Sequence, residues 1–176
     1  MTPMHWIAQI FGLGAMIALF SIYQQNDRRR LLCCKLTADV CWVVHYCILG
    51  AYGGMVPNFV GIFRELVFLQ RGKKPWADKP FIPVLFILIN WGIGAFTFSS
   101  PIQILPIAAS TFVTVSLWLR RPTLTKVISV PVSVTFLIYD ACVGSYIGMI
   151  NESIAIISIL LNAIQNQRQK EKQTNS

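Results

Sequence analysis

Between Lys79 and Arg120 the chain carries no Asp, Glu, Lys or Arg. Hydrocarbon offers the backbone no partners, so an apolar stretch of that length crosses a bilayer only as helix or closed barrel. It is long enough for two crossings of about 17–25 residues each. The stretch is continuously apolar, whereas a transmembrane strand alternates apolar and polar residues, so helices are expected. Residues 4–23 are uncharged as well. Over the whole chain 12% of residues are charged and 55% are hydrophobic, against roughly a quarter charged in a soluble domain. The expected class is an all-α integral membrane protein.

Seven spans are expected, at about 4–23, 31–50, 54–70, 81–98, 101–119, 126–145 and 148–166, each end uncertain by a few residues. The first is expected to stay as a span. No basic residue precedes it, and no small-x-small cleavage site follows it. The tail QNQRQKEKQTNS (165–176) is polar and is expected to fray. Five cysteines, an odd number without a CxxC spacing, are expected as small core residues rather than a disulfide or metal framework.

The basic residues follow the connections. Arg28, Arg29 and Arg30 lie between spans 1 and 2, with Lys35 just inside span 2, and Arg71, Lys73, Lys74 and Lys79 lie between spans 3 and 4. Arg120 and Arg121 lie between spans 5 and 6, with Lys126 beside them at the start of span 6, and Arg168, Lys170 and Lys172 follow span 7. The other three connections hold no Lys or Arg, and Arg64 is the one basic residue left over. Positive loops stay in the cytoplasm. The expected topology is therefore N-terminus out and C-terminus in, and the net charge of +8 reads as a topology signal rather than a nucleic-acid surface. Arg64 and Glu65 make span 3 expensive in hydrocarbon. Placing that segment on the surface would break the alternation of basic and bare loops.

GAYGGM (50–55) and GSYIGM (144–149) share Gly-x-Tyr-x-Gly-Met at an offset of 94 residues. At the same offset Ile62 and Leu66 meet Ile156 and Leu160, and Gln9 meets Gln103. Glycine at a tight turn is demanded by geometry in any case. The surrounding layout also repeats, however: helix, basic loop, helix, bare Gly-turn, helix. A duplicated three-helix unit is therefore expected, with residues 1–72 and 100–167 as the two units. Residues 73–99 would form a linker helix and 168–176 a cytoplasmic tail. One extra span returns the chain, so both units point the same way. Such parallel repeats are related by an axis along the membrane normal, with a substrate path between them.

The 3+1+3 layout and the stretch WVVHYCILGAYGGMVPN (42–58) resemble the SWEET sugar transporters and the wider PQ-loop group. The Pro-Gln pair of that group is absent: Gln9 follows Ala8, and Pro106 precedes Ile107. Segments NDRRRLL, HYCILGAY, ILPIAASTFVTVSLW and GSYIGMINE resemble the bacterial inner-membrane YgjV family (Imp-YgjV) over nearly the whole chain. That resemblance implies an inner-membrane location rather than an activity.

Ionisable residues inside spans usually face a bundle interior and mark a pathway. With a rise of about 1.5 Å per residue, Asp39 and Arg64 both lie about 15–16 Å below the turn joining spans 2 and 3. They are the candidate buried ion pair, either a packing device or a functional one. His45, Asn58, Asp140 and Glu152 lie about 6–8 Å below their turns by the same rise, with Asn151 beside them. Asn58 and Glu152 are equivalent at the offset, so a twofold axis would turn both toward one cavity. Asp140 and Glu152 are candidates to hold a proton or cation during transport, or else to line a solvated vestibule rim. His45 reads equally as a packed histidine. Gly12, Gly14, Ala8, Ala15 and Ala18 form a small-residue face suited to close helix packing.

No HExxH, GxSxG or phosphate-loop pattern occurs, so neither enzyme activity, nor a cofactor, nor a metal is expected. The function expected is a carrier or facilitator of a small polar solute or ion. The alternative is a non-transporting membrane binding or accessory protein with the same fold. Expected partners are the lipid bilayer and that solute, with a homo-oligomer left open and nucleic acid not among them.

Overall fold

The computed structural model describes residues 3–23, 28–119 and 122–174. Those residues form seven α-helices and no strand: α1 (Pro3–Tyr23), α2 (Arg28–Ile48), α3 (Tyr52–Phe68), α4 (Phe81–Phe96), α5 (Ile104–Leu119), α6 (Pro122–Val143) and α7 (Tyr146–Thr174). Short 3-10 turns at Pro75–Asp78 and Pro101–Gln103 lead into α4 and α5. Residues 3–21 and 101–119 are long and apolar enough to cross a membrane, and 81–96, 128–143 and 146–161 are shorter apolar stretches. Large apolar side chains stand on the outside of the bundle, among them Ile10, Phe63, Leu88, Phe112 and Ile157. The inside holds Asp39, His45, Arg64, Glu65 and Asp140. A protein surrounded by lipid distributes its residues in this inverted way, because hydrocarbon penalises the charges and not the leucines.

The helices pack in chain order: α2 lies against α1 and α3, and α6 against α5 and α7. Between the two triplets, α3 meets α5 and α1 meets α7, while α4 packs on α3 and α5. Gly12 makes the α1–α2 contact close, since a Cβ there would lie 3.0 Å from the His45 ring. Ala8 and Ala15 are fully buried beside it.

Two of the three connections at one end, the bare end, are matched turns. Gly50 and Gly144 adopt φ of +66° and +71°, the left-handed region that only glycine enters cheaply. After each glycine the next N–H reaches back to a helix carbonyl. Ala51 N–H bonds Tyr46 O at 2.8 Å, and Ser145 N–H bonds Asp140 O at 2.9 Å. This is the glycine-terminated helix end of the Schellman type. At the opposite, basic end, Arg71 donates to the Trp118 carbonyl at 3.0 Å and lies over the Trp118 ring.

Two expectations are corrected. The polar tail from residue 165 continues α7 as helix to Thr174, because no Gly or Pro follows Gly148 and Gln, Lys, Arg and Glu are good helix formers. The cysteines are not core residues: Cys33, Cys47 and Cys142 are exposed, Cys34 and Cys41 half-buried, and all five are free thiols. A thiol is a small hydrophobe and sits as readily against lipid as inside. Arg120 and Arg121 lie outside the described residues, as do the side chains of Arg28, Lys126, Arg168, Lys170 and Lys172.

Candidate functional site

A cavity of about 180 Å³ lies between the two triplets. It reaches from Tyr46 below the bare end to Lys35 and Arg64 nearer the basic end. Asn58, Asn151 and Glu152, all expected from the sequence, line it. Asn58 donates to the Gly54 carbonyl of its own helix at 2.7 Å. Asn151 donates to Glu152 Oε1 at 2.9 Å, and the Ser133 hydroxyl from α6 bonds the same carboxyl group. Aromatic rings of Trp42 and Phe136 complete the wall.

The other two expected cavity residues, His45 and Asp140, do not line it. They belong to a buried layer that covers its bare end. Tyr46 donates to Asp140 Oδ1 at 2.7 Å. His45 bonds the Ala8 carbonyl at 2.6 Å through Nδ1 and Ser145 Oγ at 2.8 Å through Nε2. Ser145 Oγ also lies beside Asp140 Oδ2, both atoms against the place where a Cβ on Gly148 would stand. The Tyr139 hydroxyl accepts from Gly54 N–H at 2.8 Å. Trp42, His45 and Tyr46 stack and edge against one another at centroid distances of 5.0–5.5 Å. Aromatic contacts of this kind add to simple area burial, and the layer joins α1, α2, α3, α6 and the turn that leads into α7.

The expected Asp39–Arg64 ion pair is replaced by two others. Arg64 pairs with its neighbour Glu65 at 2.9 Å and also donates to Thr114 at 2.8 Å and Ser110 at 3.4 Å on α5. Asp39 pairs with Lys35 one turn away on α2. The two expected partners still stand close to each other, both beside the place where a Cβ on Gly61 would lie: it would overlap the Asp39 carboxylate and stand 3.3 Å from Arg64 Nη2. Equal depth brought them near, while shorter local reach selected other partners. Asp39, Arg64 and Glu65 are essentially unexposed, so burial of charge is offset by two cations beside two carboxylates. Among the described residues no group of three His, Cys, Asp or Glu could hold a metal ion.

The family model Imp-YgjV, bacterial inner membrane protein, matches residues 6–170. The chain belongs to the Imp-YgjV family. Inner membrane protein YgjV of Escherichia coli (strain K12) is 23% identical over 168 residues, covering 96% of this chain and 88% of that one. No solved structure matches. Membership in Imp-YgjV makes this a bacterial inner-membrane protein, in agreement with a fold whose apolar residues face outward.

Tyr46, Trp42, Ser133, Ser145 and Lys35 are part of the site but were absent from the residues expected at it. Two of them were within reach. Lys35 and Asp39 stand four apart on one helix, the spacing of helical ion pairs. Tyr46 and Asp140 occupy the same position of the two repeated segments, 94 apart. Their unlike chemistry hid the correspondence.

Proposed function

We propose that this Imp-YgjV protein is a carrier of a small polar solute, built from two parallel three-helix units with the substrate cavity between them. The observation that carries the reading is the Tyr46–Asp140 hydrogen bond. These positions are equivalent at the offset of 94, and equivalent points related by a twofold axis touch only on that axis. The axis would then run through the layer above the cavity. Other contacts exchange in the same way. Gln9 Oε1 accepts from Ile147 N–H at 3.1 Å, and Gln103 lies against Gly53; adding 94 to one partner and subtracting it from the other converts one contact into the other. The cavity wall offers pairs as well: Lys35 with Ser129, Trp42 with Phe136 and Asn58 with Glu152.

A cavity of about 150 Å³ holds a benzene-sized molecule, so this one suits a solute of that order. Its wall offers amide, hydroxyl, carboxylate and cationic groups beside aromatic faces. That mixture fits a polar, uncharged or zwitterionic solute. The basic end faces the cytoplasm in this reading, and the aromatic layer closes the cavity from the periplasm.

Uptake of a panel of small neutral and zwitterionic solutes into proteoliposomes tests it. Saturable uptake of at least one solute is expected, falling about tenfold or more in Asn58→Ala and Glu152→Gln, in line with the loss of one or two good polar contacts. No uptake across the panel, or uptake unaffected by both changes, would favour a non-transporting accessory protein instead.

A further inference from the structure

His45, Ser145 and Asp140 form one continuous row of buried polar groups, and counting its hydrogens is informative. A carbonyl only accepts, so His45 Nδ1, 2.6 Å from the Ala8 oxygen, carries a hydrogen. Nε2 faces Ser145 Oγ at 2.8 Å, and Ser145 Oγ and Asp140 Oδ2 lie side by side against Gly148. Asp140 Oδ1 is already occupied by the Tyr46 hydroxyl. His45 and Ser145 are 0% exposed and Asp140 1%, so water does not complete the set.

Ser145 has a single hydrogen. With an imidazolium and a carboxylate, Nε2–H donates to Oγ and Ser145 O–H donates to Asp140. With an imidazole and a carboxylic acid, Asp140 O–H donates to Oγ and Ser145 O–H donates to Nε2. Both arrangements satisfy every group and differ by no net charge. Removing the proton leaves one hydrogen for two acceptors, so one buried acceptor is bare. Adding a second proton aims two donors at Oγ and leaves the Ser145 hydrogen without an acceptor. Buried polar groups without partners are costly.

We propose that His45, Ser145 and Asp140 are a single proton-binding site that holds one proton in common. In the exchange the Nε2–H bond breaks as Ser145 Oγ takes that proton, and the Ser145 O–H bond breaks as Asp140 takes the other. Imidazolium and carboxylate become imidazole and carboxylic acid. The groups facing this site are His5 from α1, beside His45, and Tyr46 from α2, Tyr139 from α6 and Glu152 from α7, beside Asp140. Because this row ties α2 to α6 and the turn that leads into α7, losing the proton or gaining a second one loosens the layer over the cavity. The proton is then the ligand that keeps the bare end shut. This deepens the carrier reading but is measured without any solute, so uptake and proton sharing can fail separately.

Infrared difference titration of the full chain in phosphatidylcholine vesicles tests it, in a Glu152→Gln background that removes the other nearby carboxyl signal. The carboxyl signal lost in Asp140→Asn and the ring signal lost in His45→Gln are expected to change together over the same pH range, as interacting sites do. In Ser145→Ala the two should separate, their midpoints moving apart by at least tenfold in proton concentration. Separate changes with Ser145 present, or an unaltered profile in Ser145→Ala, would overturn the proposal. Should Ser145→Ala not fold, His45→Gln decides it: the Asp140 signal must shift its midpoint by at least tenfold, and an unmoved midpoint refutes a shared proton.

Discussion

Arg64 and Glu65 are neighbours in sequence that point into the same interior. Removing one partner of such a buried pair leaves an uncompensated charge, at a cost of roughly 3–5 kcal/mol. Arg64→Leu should therefore lower the thermal unfolding midpoint in detergent markedly. Arg64→Leu combined with Glu65→Leu should recover most of the loss, and a double-mutant cycle would reveal an additive pair if the assignment is wrong. Glycines give a second contrast. A Cβ at Gly61 would overlap the Asp39 carboxylate, whereas nothing lies within 4 Å of one at Gly92. Gly61→Ala is expected to cost about 1–3 kcal/mol through overpacking. Gly92→Ala should be neutral or slightly stabilising, since alanine favours helix. The same unfolding measurement separates them. At this scale the sequence was legible as to which ionisable residues are buried, not as to the cysteines, and poorly legible as to partners. Depth along a helix follows from residue number alone. Azimuth and side-chain reach do not, and they gave Arg64 to Glu65 and Asp39 to Lys35.

The helix ends were more legible than the partners. Span 1, expected at 4–23, is Pro3–Tyr23, and span 5, expected at 101–119, is a 3-10 turn leading into a helix that ends at Leu119. Span 7 was cut short, because a hydropathy argument ends where apolar residues end and a helix does not. The two glycine turns were visible as a repeated motif, and the structure gives them the same φ and the same backbone bond. Gly50→Ala and Gly144→Ala should each cost about 1 kcal/mol for forcing a Cβ into the left-handed region. The two costs should be similar, because the turns are alike. Unfolding midpoints that differ widely between these variants would mean that the two turns carry different loads.

At the scale of the whole molecule, the alternation of basic and bare connections predicts which end meets the cytoplasm. A fluorescent protein fused to the C-terminus should fluoresce in cells, and alkaline phosphatase fused at the same place should stay inactive. Active phosphatase there would reverse the orientation. The membrane class and the number of helices could be read from apolar run lengths, which respond to one strong force. The closing layer could not, since it joins side chains of α2, α6 and the turn before α7 with backbone groups of α1 and α3, far apart in the chain.

The Tyr46–Asp140 hydrogen bond also restricts how such a chain can be divided. It needs a donor from one half and an acceptor from the other. Two copies of the first triplet would set phenol against phenol, and two copies of the second would press carboxylate on carboxylate. In the proposed twofold arrangement a pair of identical pieces would therefore not reproduce this phenol–carboxylate contact at the centre.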